Sequence, residues 1–168
     1  MPVITLILGP TASGKSALAV LRAAQSGGVI INADVMQCYN TLPILTAQPD
    51  TDDLARVPHK FYSVLDATEP LTAATWAARA RALIADAFNA GTPPYIVGGT
   101  GFYIKALMEG LSPMPDIAPS LRIRLMARLE VEGLAALYAD LQKADPASAV
   151  RLKAGDTQRI VRALEVFE

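Results

Sequence analysis

Near its N-terminus the chain reads Gly9-Pro10-Thr11-Ala12-Ser13-Gly14-Lys15-Ser16, with the spacing G-x-x-x-x-G-K-S. Glycines at these positions let successive backbone N–H groups converge on phosphate oxygens. The apolar run Val3 to Leu8 predicts a buried strand before the segment, and Ala17 to Gln25 predicts a helix after it, whose N-terminus favours an anion. The alternative is a tight structural turn that happens to contain a lysine, but the strand and the helix favour a P-loop. We predict that residues 9–16 hold a pyrophosphate or a nucleotide phosphate, with Lys15 on the terminal phosphate and Ser16 placed to hold Mg²⁺.

The following segments repeat the strand and helix pattern of a parallel sheet. Val29-Ile30-Ile31 predicts a second buried strand, and Tyr95-Ile96-Val97 predicts another that leads through Gly98-Gly99-Thr100-Gly101 into a helix. Residues 40–70 are predicted as loop because of their prolines, and the apolar face of residues 76–88 predicts a helix. The expected class is α/β, a P-loop NTPase-like parallel sheet flanked by helices, with an all-helical insertion following it.

A domain boundary is predicted in the proline-containing segment 111–116. We expect a P-loop α/β core over residues 1–115 and a helical insertion over residues 116–168. The predicted helices of the insertion cover about 119–132, 134–142, 146–153 and 157–168. The last one reaches Glu168 without a stop signal, so we expect the natural chain to continue.

Composition narrows the class of protein. With 52% hydrophobic and 18% charged residues the 168-residue chain is predicted to be globular, and no apolar run approaches the length of a membrane span. The first residues lack the basic region of a signal peptide, and the single cysteine, Cys38, fits a reducing cytoplasm. A net charge of −1 does not by itself indicate nucleic-acid binding. We predict structural roles for Cys38 and for the lone His59.

Polar residues stand at the ends of the predicted strands. Asp34 follows the second strand, and Gly98-Gly99-Thr100 follows a later one. Ligands of open α/β sheets bind outside the carboxyl ends of the strands, so these segments and the P-loop are expected to face one crevice. Three roles are open for Asp34, namely metal ligand, general base or only the cap of a turn. Two are open for the glycine turn, which is either part of the site or only a tight connection between strand and helix.

Seven segments also match a known family in order. They are residues 9–16, 32–39 (Asn-Ala-Asp-Val-Met-Gln-Cys-Tyr), 45–49, 57–59, 97–103 (Val-Gly-Gly-Thr-Gly-Phe-Tyr), 110–115 and 156–166 (Asp-Thr-Gln-Arg-Ile-Val-Arg-Ala-Leu-Glu-Val). Together they resemble the tRNA dimethylallyltransferases, also called tRNA isopentenyltransferases. A P-loop alone is shared with many NTPases, but the later segments are specific.

The resemblance implies a reaction and a set of residues. The reaction is the transfer of a dimethylallyl group from dimethylallyl diphosphate, with Mg²⁺, to the exocyclic amine of the adenine 3′ of the tRNA anticodon. The implied catalytic residues are Asp34 as the base, Thr100 beside the reacting groups and Lys15 on the leaving diphosphate. The implied tRNA-binding residues are Asp34, Val35, Met36, Gln37, Thr100, Arg122, Gln158, Arg159, Ile160, Val161 and Arg162. Val35 departs from the family pattern, which has serine there.

Three other functions remain open. An adenylate isopentenyltransferase would use a free nucleotide as acceptor, although the segment 158–162 favours tRNA. A small P-loop nucleotide kinase would use ATP, but no arginine-rich lid follows the second strand. An inactive fragment would bind pyrophosphate without turnover. The main hypothesis implies tRNA and dimethylallyl diphosphate as partners and a monomer in the cytoplasm, away from membranes.

Overall fold

The computed structural model describes residues 2–112 and 117–168, and the chain divides into a first unit, residues 1–111, and a second unit, residues 112–168. The boundary predicted between residues 115 and 116 lies outside the described residues. In chain order the first unit contains β1 (Thr5–Leu8), α1 (Lys15–Ser26), β2 (Val29–Asn32), a 3₁₀ helix (Val35–Cys38), α2 (Thr51–Arg56), β3 (His59–Lys60), α3 (Ala73–Asn89), β4 (Pro94–Gly98) and α4 (Gly101–Met108).

The four strands form one parallel sheet in the order β1-β4-β2-β3. Side chains alternate between its two faces, so that Ile31 packs with the cluster of α3 and α4 while Ile30 packs against α1. The central strands β2 and β4 are buried along their whole length, as predicted. The prediction that β1 is buried is wrong, because β1 is an edge strand with both of its end residues exposed. The predicted α/β class is confirmed, and the parallel order brings the ends of β1, β2 and β4 to the same edge of the sheet.

The prediction of a loop over residues 40–70 is wrong at two places. Asp50 caps α2, because its carboxylate accepts a hydrogen bond from the backbone N–H of Asp53 (2.8 Å). The edge strand β3 pairs with β2, with His59 opposite Ile30. A helix of six residues and a strand of two are too short to show a hydrophobic period, so only caps and pairing partners define them.

The second unit is all helical in its described part. Its helices are α5 (Pro119–Glu132), α6 (Leu134–Ala144), α7 (Pro146–Arg151) and α8 (Thr157–Phe167). They enclose a core of apolar side chains formed by Leu125, Leu137, Leu141, Ala149, Ile160, Val161 and Leu164. Throughout the described parts of both units, none of the helices is both long and apolar enough to cross a bilayer.

Candidate active site at the ends of the parallel strands

The P-loop connects β1 to α1 through two residues in the left-handed region. Ala12 has φ 62° and Gly14 has φ 80°, so the chain turns sharply before Lys15 begins the helix. Glycine takes this conformation without strain, which explains the second glycine of the motif. The Lys15 ammonium reaches back across the loop and donates a hydrogen bond to the carbonyl oxygen of Pro10 (3.1 Å). An anion over the loop would meet this ammonium and the N-terminus of α1, the arrangement of a phosphate site.

Asp34 follows β2 and caps the 3₁₀ helix. Its Oδ1 accepts a hydrogen bond from the backbone N–H of Met36 (3.1 Å). A cap is one of the three roles expected for this residue, and because the cap uses only one carboxylate oxygen it is compatible with a chemical role as well. Within residues 2–112 and 117–168, Oδ2 accepts no hydrogen bond, so the carboxylate retains an oxygen for a substrate proton.

Gly98 allows the end of β4 to touch the backbone that carries Asp34. A Cβ added at Gly98 would lie 2.2 Å from the carbonyl carbon of Ala33, so no larger residue fits. Just beyond, the N–H of Thr100 donates to the Ala33 carbonyl oxygen (3.3 Å), and its Oγ1 accepts from the N–H of Val35 (3.5 Å). The glycine turn therefore ties the ends of β2 and β4 together.

The crevice expected from the strand ends is confirmed. One cavity of about 470 Å³ is lined by all three segments, namely by Leu8, Gly9, Pro10, Thr11, Lys15, Asp34, Gly99, Thr100 and Gly101. It therefore places a carboxylate, a hydroxyl and an ammonium around one volume. This combination can accept a proton on one side while it stabilises an anion on the other.

A second cavity, of about 520 Å³, extends from the P-loop past Asp34 to an apolar wall. The wall consists of Met36, Leu42 and Leu45, whose side chains are all largely exposed. Gln37 holds it in place, because its Nε2 donates to the carbonyl oxygens of residues 46 and 47 (2.8 and 2.9 Å). This wall was not predicted from the sequence, although Leu42 and Leu45 are apolar residues inside a segment predicted as loop. Gln37 is predicted to contact tRNA, but its amide N–H groups already donate to these two carbonyl oxygens.

Cys38 and His59 have the structural positions that were predicted for them. Burial, together with the negative charge of Asp34, raises the pKa of Cys38 to about 12, so its thiol is a poor nucleophile. His59 lies on the edge strand with Nδ1 2.9 Å from the carbonyl oxygen of Val57, and burial lowers its pKa. Neither side chain lines the cavity of about 470 Å³.

In the second unit, two of the predicted tRNA-binding arginines share one buried carboxylate. Glu165 has a side chain only 1% exposed, and it accepts hydrogen bonds from Arg122 (2.8 Å) and Arg162 (2.9 Å). Burial alone would raise the pKa of Glu165, but the hydrogen bonds from the two arginines outweigh it and hold the pKa below its ordinary value. Arg159 forms an ion pair with Asp156 (3.2 Å). The arginine side chains are roughly half exposed or more, so they still present N–H groups to solvent.

The predicted segment 158–162 divides between surface and core. Gln158 and Arg159 are exposed, whereas Ile160 and Val161 are buried in the core of the second unit. Buried side chains cannot reach a ligand in solution, so the side chains of Ile160 and Val161 are removed from the predicted tRNA-binding set. Arg159 and Arg162 line a cavity of about 700 Å³, together with Asp145, Ser148, Arg151, Leu152, Ala163, Val166 and Phe167.

The glycine-rich loop before α1, its lysine and the parallel sheet define a P-loop protein with an NTPase-like α/β fold. Residues 37–168 match the family model described as IPP transferase, and residues 2–66 match the one described as isopentenyl transferase. The chain belongs to the IPP transferase family.

Curated relatives are named for one activity. The chain is 53% identical over 163 residues to a tRNA dimethylallyltransferase of Rhodopseudomonas palustris (strain BisB18), which covers 97% of this chain and 52% of the relative. It is 50% identical over 164 residues to one of Chelativorans sp. (strain BNC1), covering 98% of this chain and 56% of the relative. The chain therefore spans about half the length of the curated relatives that it matches.

Solved structures give the same fold. A tRNA isopentenylpyrophosphate transferase from Bacillus halodurans superposes with a TM-score of 0.65 at 31% identity, covering 99% of this chain and 55% of that chain. A eukaryotic dimethylallyltransferase acting on tRNA superposes with a TM-score of 0.83 at 26% identity, covering 99% of this chain and 42% of that one.

Proposed function

We propose that the protein transfers a dimethylallyl group from dimethylallyl diphosphate to the exocyclic amine of the adenine 3′ of the anticodon in tRNA. The observation that carries the proposal is the cavity of about 470 Å³, in which Asp34 and Thr100 meet the P-loop lysine. The relatives with 53% and 50% identity are named for this activity, which supports the same reaction. The apolar wall of Met36, Leu42 and Leu45 beside the P-loop favours a prenyl chain over the polar sugar of a nucleotide.

The proposed reaction exchanges one bond to the allylic carbon for another. The C–O bond to the diphosphate breaks, and the diphosphate leaves with the electron pair. A C–N bond forms to the adenine amine, and the amine proton passes to Asp34. Lys15 and the N–H groups of the P-loop stabilise the leaving group as its charge develops, and that stabilisation grows towards the transition state. Thr100 borders the reacting groups and holds the segment after Asp34.

The oxygen donors near the P-loop fit Mg²⁺ as an ion shared with the diphosphate. Ser16 and Asp34 line the same cavity, while the described residues contain no group of three or more His, Cys, Asp or Glu that could hold a metal. Mg²⁺ usually takes one or two protein oxygens and completes its shell with phosphate oxygens and water. We assign Ser16 as its protein ligand, and the bound ion would neutralise charge on the diphosphate.

The second unit supplies candidate contacts to the tRNA backbone. Arg151, Arg159 and Arg162 line one concave surface, and arginines on such a surface bind phosphates. Because tRNA is the acceptor, we propose that the protein acts in the cytoplasm, where the free thiol of Cys38 is also stable. A monomeric state stays a prediction.

The decisive experiment mixes the protein with dimethylallyl diphosphate, Mg²⁺ and unmodified tRNA and measures the mass of the tRNA. The assay uses the chain and also a fusion to the C-terminal half of the Rhodopseudomonas relative, because the relatives are about twice as long. We expect the tRNA to gain one isoprenyl unit. Asp34→Asn keeps an oxygen for the Met36 N–H but removes the base, so the rate should fall about 10²-fold or more while pyrophosphate binding remains.

Lys15→Ala is the complementary variant, since it should weaken pyrophosphate binding itself. An Asp34→Asn protein with the wild-type rate would refute the assignment of the base. Transfer to AMP in preference to tRNA would identify an adenylate isopentenyltransferase, and phosphoryl transfer from ATP would identify a kinase. Pyrophosphate binding without prenylated product in either form of the protein would leave only a binding function.

A further inference from the structure

Asn32 is a fully buried amide at the end of an otherwise apolar strand. It closes β2 after Val29-Ile30-Ile31 and has no exposed surface. A buried amide is costly unless its polar atoms are paired, so a site that keeps one must satisfy it. The partners of Asn32 therefore indicate what the residue stabilises.

The side chain of Asn32 holds the peptide groups on both sides of Asp34. Its Oδ1 accepts a hydrogen bond from the Asp34 N–H (2.8 Å), and its Nδ2 lies 2.9 Å from the Asp34 carbonyl oxygen. The same Nδ2 lies 3.1 Å from the carbonyl oxygen of Phe61 and 3.3 Å from Sγ of Cys38. One buried side chain thus fixes both the backbone N–H and the carbonyl oxygen of Asp34, a residue that lines the cavity.

The contact with Phe61 connects Asp34 to a strained turn. Phe61 has φ 68° and Ser63 has φ 49°, a left-handed conformation that residues other than glycine rarely adopt. Residues in this conformation persist only where the surrounding structure stabilises them. The contact between the amide of Asn32 and the carbonyl oxygen of Phe61 provides part of that stabilisation. The backbone of Asn32 is fixed in turn, because its carbonyl oxygen accepts the indole N–H of Trp76 (3.2 Å).

We propose that Asn32 is a positioning residue for the transfer reaction, which fixes the backbone of Asp34 so that the carboxylate faces the P-loop cavity. The proposal rests on the proposed function, in which Asp34 accepts the proton. Asn32 does not touch the cavity itself, so it acts only through Asp34. Placement of a reacting group within a fraction of an ångström controls the rate of the chemical step, whereas diphosphate binding depends on the P-loop.

Two substitutions at Asn32 separate its contacts. Asn32→Ala removes all of them, and transfer should slow about 10²-fold at unchanged KM for dimethylallyl diphosphate. Asn32→Ser keeps a hydroxyl that can accept from the N–H two residues on, but it cannot reach the carbonyl of Phe61, so it should recover part of the loss. Ile84→Ala is the matched control, because it removes a buried side chain from the apolar cluster that includes Phe61 and Trp76, without a hydrogen bond to Asp34.

Amide hydrogen exchange provides a second readout that needs no turnover. In Asn32→Ala the Asp34 amide should exchange about fivefold to tenfold faster, the factor for one lost hydrogen bond, while the amides of the P-loop keep their wild-type rates. Ile84→Ala should not show this local change.

The proposal is overturned if Asn32→Ala transfers at the wild-type rate, or loses no more rate than Ile84→Ala. If the wild-type protein itself prenylates no tRNA, the proposed function fails, and the exchange data then decide the positional claim alone. An Asp34 amide that keeps its protection in Asn32→Ala would refute that claim as well.

Discussion

The two units hold their candidate site residues by different means. In the first unit, backbone geometry and strand order bring Asp34, Thr100 and Lys15 to one cavity, with a carboxylate that keeps one oxygen unpaired within the described residues. In the second unit, the arginines predicted to bind tRNA are already bound to carboxylates, since Arg122 and Arg162 share the buried Glu165 and Arg159 pairs with Asp156.

The two units therefore differ in how much of their positive charge is free to bind an anionic ligand. The ammonium of Lys15 contacts only a neutral carbonyl among the described residues, so it retains its full charge for a diphosphate. The pair of arginines around Glu165 carries a net charge of about one unit, because one carboxylate offsets one guanidinium. A count of basic residues therefore overstates the positive field of the second unit, while its arginine geometry is fixed in advance.

The largest expected effect is that of Gly98→Ala in the first unit. The new methyl group would overlap the backbone of Ala33, so the ends of β2 and β4 must separate, at a cost of about 3 kcal/mol and with loss of transfer. The fluorescence of Trp76, the only tryptophan of the chain, would follow the unfolding of this unit in denaturant.

Gly101→Ala provides the control for that prediction. A Cβ at Gly101 meets no atom within 4 Å, so this variant should unfold at the wild-type denaturant concentration. Equal midpoints for the two variants would mean that the contact at Gly98 does not hold the strand ends together.

A smaller effect is expected for each arginine of the second unit when it is replaced singly. Arg122→Met and Arg162→Met should each cost about 1 kcal/mol, because these side chains are roughly half exposed and screened by solvent. The double variant leaves Glu165 buried without a partner, so it should cost about 3 kcal/mol, more than the sum. Hydrogen exchange of α5 and α8 measures the loss.

Lys153→Met is the matched control, since Lys153 is an exposed residue of the same unit with no ion pair among the described residues. Simple additivity of the two arginine variants would contradict the shared role of Glu165.

The sequence predicted best what depends on local pattern. The apolar runs and glycines around the P-loop predicted β1, α1 and the later strands, because each signal lies within a few residues of the element it defines. Asp34 and Thr100 could be predicted to converge, since parallel strands share one edge. The family resemblance then supplied roles that spacing alone left open.

The rest depends on partners distant in sequence. Asn32 resembles an ordinary strand end until the carbonyl of Phe61 is brought to it, a contact across 29 positions. The burial of Glu165 could have been suspected from its position four residues after Val161, within the apolar stripe of α8. Only the contact with Arg122 of α5 explains why a carboxylate is tolerated at that position.

The smallest expected effect concerns the pH at which each unit loses stability. Burial lowers the pKa of His59 in the folded first unit below its ordinary 6.5, so the unfolded chain binds a proton more readily. The contribution of the neutral imidazole is thus complete above pH 6.5 and is lost as the pH falls towards the lowered value. His59→Gln should remove this dependence, as measured by Trp76 fluorescence.

Glu165 acts in a more acidic window. Its folded pKa lies below the ordinary 4.5, so the stability that it gives the second unit is complete above pH 4.5 and is lost as the pH falls through the lowered value. On acidification, hydrogen exchange should therefore accelerate first in the first unit and only later in α5 and α8. Glu165→Gln should weaken the second step, to which Glu132 and Asp140 also contribute because hydrogen bonds from Arg128 lower their pKa values, and it should leave the first step unchanged. If α5 and α8 opened together with the first unit near pH 6.5, the two units would share one titrating group, and the contrast between them would fail.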